Sequence, residues 1–171
     1  MVDFARLPAL PAVDEVCLAL GTTIKQAGSQ ARFREIDFDA NLAVAQAAVR
    51  VGAKRIALVS AAGADPNSRV FYSKVKGELE QALSAFPLDA LVIARPSLLL
   101  GNRDALGQPA RTGERIAAFL DRVLRPLIPR RYRGIAAEDV AAALLHALPR
   151  ARGRQVLTSG DMQGAATLPG D

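Results

Sequence analysis

The chain has 171 residues, half of them hydrophobic, which is enough for one domain with a real core. Lys and Arg number 22 against 17 Asp and Glu, a net charge of +5, and the one cysteine excludes an internal disulfide. No stretch approaches the ~20 apolar residues of a membrane span, and Pro8 and Pro11 interrupt any basic-then-apolar leader. These readings make the cytoplasm the default location.

Val2 to Pro11 reads as loop. Val13 to Leu20 is mostly apolar, as expected of a buried parallel strand, and the lone Cys17 within it reads as a small core residue. Gly21 to Ala31 reads as a polar loop. Asp37 or Asp39 could cap a long helix through Arg50, with Leu42, Val44, Ala45, Ala48 and Val49 on its apolar face and Gly52 as its stop. Arg55 to Ser60 is the next strand, and Ala61 to Val70 is a loop rich in Gly, Asp, Pro, Asn and Ser. The spacing of Val75, Leu79 and Leu83 predicts a helix over Phe71 to Phe86. Leu88 to Arg95 is a strand closed by Pro96.

After Gly101 the rhythm changes. Residues 102–135 read as a small substrate-side lobe, with a polar loop and a helix from about Thr112 to Leu124. Ala136 or Ala137 begins a last helix to His146 or Leu148, with Glu138 and Asp139 in its first turn. Gln155 to Thr158 reads as a short strand, and 160–171 as a flexible tail. Alternating strands and helices indicate an α/β fold with a parallel sheet.

Tyr72 and Lys76 stand four residues apart on the helix and so share a face. An ammonium beside a phenol stabilises phenolate and lowers its pKa, which makes the phenol useful in proton transfer near neutral pH. A strand ending at Ser60 precedes the pair. Asn41 reads as a helix-start residue. His146, the lone histidine, reads as packed or solvated on its amphipathic helix. No cluster has metal-ligand spacing, and no G-x-S-x-G nucleophile elbow occurs. Arg125, Arg130, Arg131 and Arg133 form the one dense basic patch. It suits an anionic small molecule as well as nucleic acid, and aromatic interleaving is missing, so nucleic-acid binding is not the leading reading.

The constellation resembles the short-chain dehydrogenase/reductase superfamily. Val16-Cys-Leu-Ala-Leu-Gly-Thr-Thr23 is similar to its fourth strand and cofactor-side turn. Val51 to Asp65 is similar to the fifth strand and serine loop, Ile93 to Gly101 to the sixth strand and the loop after it, and Glu138-Asp-Val-Ala141 to a late helix start of the epimerase-like branch. Leu-Gly-Thr-Thr and Ser-Ala-Ala-Gly-Ala-Asp most resemble the Tat-interacting-protein oxidoreductases and their bacterial relatives. The resemblance implies a Rossmann-like doubly wound sheet and an NADP or NAD cofactor, with NADP preferred. It implies Ser60, Tyr72 and Lys76 as catalytic residues acting on a carbonyl or alcohol of an unknown small molecule. Gly21, Thr22, Lys76, Arg95 and Pro96 would then lie along the cofactor, with Lys76 on the nicotinamide ribose, and the alternative to a helix start for Asn41 is a helix asparagine that some members use in a proton relay.

No glycine-rich G-x-x-G-x-x-G turn is present. Met1-Val-Asp-Phe4 resembles the superfamily just after its third strand, so the chain is expected to begin roughly 60 residues into the domain, about two βα units. Cofactor binding is then expected to be weak. Val16–Leu20 is expected at a sheet edge open to self-association. A non-catalytic binding or regulatory protein of the same fold is the runner-up, and an anionic-ligand or nucleic-acid binder using the arginine patch is the third reading.

Overall fold

A computed structural model describes residues 9–97, 99–100 and 134–167. Four parallel strands form the central sheet in the order β1 (Glu15–Leu18), β2 (Arg55–Val59), β3 (Ala90–Arg95), β6 (Gly153–Thr158). Register is continuous: Val16 stands opposite Ile56, Ile56 opposite Leu91, and Leu91 opposite Arg154. A two-stranded parallel sheet joins β4 (Leu99–Leu100) to β5 (Ile135–Ala136).

Helices cover both faces, as a Rossmann-like α/β fold requires. On one face, α3 (Asn41–Arg50) and α4 (Phe71–Ser84) pack Ala45, Leu79 and Leu83 onto Leu18, Ile56, Leu58, Leu91 and Ile93. On the other, α5 (Ala137–Ala147) lays Val140, Ala143 and Leu144 against Ala57, Val92 and Ala94. Ile56, Ala57 and Leu58 are therefore buried in succession, which is why β2 reads as a continuous apolar run rather than an alternating one. Each large aliphatic side chain buried this way contributes about 1.5–3 kcal/mol.

Several expectations are corrected. The stretch expected as a polar loop holds two helices, α1 (Ile24–Ala27) and α2 (Gln30–Arg34). Thr23 caps the first through the Gln26 amide and Ser29 caps the second through the Arg32 amide. The long helix thus begins at Gln30, not at Asp37 or Asp39. From α2 the chain passes through a π-helical segment, Glu35–Ala40, directly into α3, so Asp37 lies inside the helix and is fully buried. Cys17 is exposed on β1, not packed. Of the segment expected as a flexible tail, residues 160–167 are described. Its helix α6 (Ser159–Met162) carries a Thr158/Asp161 capping box and a fully buried Met162. Gly52, with φ 116, ends α3 as expected. The arginine patch and the expected helix from Thr112 lie outside the described residues.

Candidate active site at the carboxyl edge of the sheet

Ligands in open α/β sheets bind outside the carboxyl ends of the strands. The chain leaves β1 there through Gly21 and Thr22, and leaves β2 there through Ser60 and the loop 61–70. The loop is held to α4 by close approach. A Cβ on Gly77 would stand 2.3 Å from the backbone of Asp65 and Pro66, so only glycine lets the loop lie flat on the helix. The Asp65 amide donates to the Ser73 carbonyl in the same contact.

Tyr72, Lys76 and Glu80 follow at intervals of four on α4, and Lys76 and Glu80 are both buried. A buried charge needs a partner, and each finds a different one. Lys76 Nζ lies 2.7 Å from Asp37 Oδ1. Asp37 Oδ2 accepts the Thr22 amide at 2.9 Å. Asn41, one helical turn beyond Asp37, donates through Nδ2 to the Leu20 carbonyl at 3.0 Å and to the Ile36 and Asp37 carbonyls. The π-helical geometry releases carbonyls from the usual ladder, and the amide takes them up. The turn after β1 is thus clamped twice from one helix. Gly21 closes over the ion pair, where a Cβ would stand 3.3 Å from Asp37 Oδ1 and 3.5 Å from Lys76 Nζ.

Tyr72 is half-buried, its ring 5.5 Å from that of Phe33, which is itself fully buried. Burial raises the Tyr72 pKa above its ordinary value, and the Asp37 carboxylate raises it further. This corrects the expectation that Lys76 lowers it. The ammonium is already paired with Asp37, so the phenol keeps its proton.

Ser60 stands apart from this group. Its hydroxyl donates to Glu80 Oε1 at 2.6 Å, and Glu80 lies two turns along α4 from Tyr72. Arg95 meets the same carboxylate with two bonds, Nε to Oε1 at 2.9 Å and a terminal nitrogen to Oε2 at 2.6 Å, and Arg154 adds a third at 3.1 Å. The hydrogen bond to Glu80 raises the Arg95 pKa. Ser60, Arg95 and Arg154 therefore join β2, β3 and β6 to α4, away from the Lys76 pair. Pro96 is buried and its carbonyl accepts the Ala62 amide, tying the ends of β2 and β3 together. His146 is exposed on α5.

The structure brings together Gly21, Thr22, Tyr72 and Lys76 from the sequence reading, and adds Asp37 and Asn41. Glu80 was legible as the next member of the Tyr72–Lys76 series on a buried face. Asp37 left only the trace of an acidic residue within an apolar helix pattern.

The edge has three features that a polar ligand could use. It offers a side-chain-free turn at Gly21, a buried ammonium, and Asn41 Oδ1, a buried acceptor with no hydrogen-bond donor. Among the described residues nothing corresponds to a glycine-rich turn opening a long helix; Gly21 leads only into four-residue α1. Among the described residues no three His, Cys, Asp or Glu side chains gather as a metal would need, and none of their helices is long and apolar enough to cross a membrane.

Residues 1–125 match the family model of HIM1. A Saccharomyces cerevisiae relative, the mitochondrial protein FMP52, is 44% identical over 107 residues, covering 63% of this chain and 46% of that protein. Other fungal relatives bear the same name, and the chain spans about half the length of the curated relatives it matches. All are named mitochondrial, which overturns the cytoplasmic expectation. Among solved structures, MoeE5 in complex with UDP-glucose and NAD is similar with a TM-score of 0.63 at 17% identity, over 91% of this chain and 60% of that one. RMD from Pseudomonas aeruginosa complexed with NADPH is similar with a TM-score of 0.59 at 20% identity, over 87% of this chain and 61% of that one. At such identities the likeness is one of fold, shared with NAD(P)-binding epimerase-like enzymes.

Proposed function

The chain belongs to the HIM1 family, and on that premise we propose that it forms part of an NAD(P)-dependent oxidoreductase or epimerase-like protein acting on a carbonyl or alcohol. The observation that supports it is the convergence of Gly21, Thr22, Asp37, Asn41, Lys76 and Tyr72 at the carboxyl edge of a Rossmann-like sheet. The Leu-Gly-Thr-Thr and Ser-Ala-Ala-Gly-Ala-Asp segments favour a place near the Tat-interacting-protein oxidoreductases within the epimerase-like branch. The relatives' names favour a mitochondrial setting.

A reduced nicotinamide, when bound, supplies hydride to a substrate carbonyl carbon. Tyr72 donates its phenolic proton to the carbonyl oxygen. Lys76 would hold ribose hydroxyls of the cofactor and, once drawn toward a ligand, would stabilise the phenolate left behind. Phe33 fixes the plane of the Tyr72 ring. NADP is favoured over NAD by the branch resemblance.

The test is calorimetric titration with NADPH and NADH, followed by carbonyl reduction in the full-length protein. Tyr72→Phe should abolish turnover and leave cofactor affinity nearly intact, whereas Lys76→Ala should reduce both. Turnover at the wild-type rate in Tyr72→Phe would refute the mechanism.

One observation favours a second reading, a non-catalytic binding protein of the same fold. The Ser60 proton is given to Glu80, so Ser60 does not serve as a second donor to a developing alkoxide. Cofactor binding without turnover in the full-length protein would support it.

A further inference from the structure

We propose that Asp37 is a positioning residue of this site: its two carboxylate oxygens hold the Lys76 ammonium and the Thr22 amide together, and so fix the ammonium against the β1 turn until a ligand draws it away. The proposal rests on the reading of Tyr72 and Lys76 as the working pair.

Asp37 is fully buried and projects from the π-helical segment, where one wide turn interrupts an otherwise α-helical rod. Such single wide turns recur at functional positions because they re-aim one side chain. Here the side chain aimed is the partner of Lys76 at 2.7 Å. The second oxygen accepts the Thr22 amide at 2.9 Å, and the Gly21 backbone lies against both members of the pair. The position of the β1 turn and the position of the ammonium are therefore set by one carboxylate. A ligand entering over Gly21 meets the ion pair first. When hydroxyls of that ligand take part of the hydrogen bonding of Lys76, the hold of Asp37 loosens and the ammonium becomes free to act on the phenol.

Among the described residues, the charged and aromatic groups on the elements around Tyr72 are these. Asp37 comes from the π-helical segment and Lys76 from its own helix. From α2 the contact is Phe33, while Arg32 and Arg34 pair with Glu35 and Glu78. In the loop 61–70, Asp65 accepts the Asn67 amide and Arg69 is exposed. Asp37 is the carboxylate that raises the Tyr72 pKa, next after burial.

The experiment is an ultraviolet phenolate titration in a Tyr132→Phe background, which leaves Tyr72 as the one tyrosine of the chain. Asp37→Asn should lower the Tyr72 midpoint by roughly one pH unit, because the carboxylate is lost and the ammonium is released. Asp37→Glu, which keeps the charge, should hold the midpoint near the wild-type value. If the asparagine variant does not fold, Asp37→Ser supplies the same neutral comparison. A folded Asp37→Asn or Asp37→Ser variant with an unchanged midpoint overturns the proposal. The readout needs no cofactor, so failure of the cofactor reading would show separately, as an NADPH titration without heat in wild-type protein.

Discussion

Lys76 Nζ and Asp37 Oδ1 stand 2.7 Å apart, and both side chains are almost wholly withdrawn from solvent. Removing one partner of such a pair leaves an uncompensated buried charge, whereas removing both leaves none. Lys76→Met alone should cost about 3–5 kcal/mol in urea unfolding. The double variant Asp37→Asn/Lys76→Met should recover most of that loss. A double variant as unstable as the single one would mean that packing, not charge, dominates the position.

Ser60 should act through stability. Its bond to a buried carboxylate is a charge-assisted hydrogen bond, so Ser60→Ala should cost about 1–3 kcal/mol. Glu80→Ala should cost more, about 3–5 kcal/mol, because it strands the Ser60 hydroxyl and the guanidinium of Arg95 together. Chemical denaturation of both variants is the check. A Ser60→Ala variant with wild-type stability would return Ser60 to consideration as a catalytic donor.

Gly77 sets two effects against each other. Alanine is the better helix former by about 1 kcal/mol. Its Cβ would meet the Asp65 and Pro66 backbone at 2.3 Å, and backbone cannot yield as a side-chain tip can. Overpacking of this kind costs about 1–3 kcal/mol and should win. Gly77→Ala is therefore expected to melt lower and to speed amide exchange in the loop 61–70. An unchanged melting temperature would contradict the close approach.

Alkaline pH should weaken the fold through Tyr72. Its pKa is raised in the folded chain by burial and by Asp37. The stability it contributes is fully present below the unfolded phenol value, about 10. That contribution is lost as pH rises through the folded value, because the unfolded state releases the proton first. Stability measured through this alkaline window should fall with a steeper slope in wild-type than in Tyr72→Phe. Equal slopes would show that Tyr72 titrates as a free phenol.

Strand β1 ends the sheet order among the described residues, with Cys17 and Glu15 exposed. A parallel edge strand with unpaired amides and carbonyls seeks a partner. The 171-residue chain should associate as concentration rises, seen as growing light scattering. A monodisperse monomer with a sharp, high melting transition would show the edge to be covered.

The sequence by itself determined the alternation of strands and helices and the parallel sheet they build. Those features follow from local period: buried runs such as Ile56–Leu58 and the 3.6-residue spacing of Val75, Leu79 and Leu83 need no knowledge of neighbours. It also placed Tyr72 and Lys76 on one helical face. Tertiary structure alone decided what those side chains do. Ser60 finds its acceptor 20 residues away in Glu80, and the Thr22 amide finds its own 15 residues away in Asp37. No local pattern encodes such pairings, because a buried charge accepts whichever opposite charge the packing delivers. The π-helical turn that delivers Asp37 has no period of its own in the sequence. For that reason Asp37, one of two residues expected to cap a helix, became the one that holds the site's lysine.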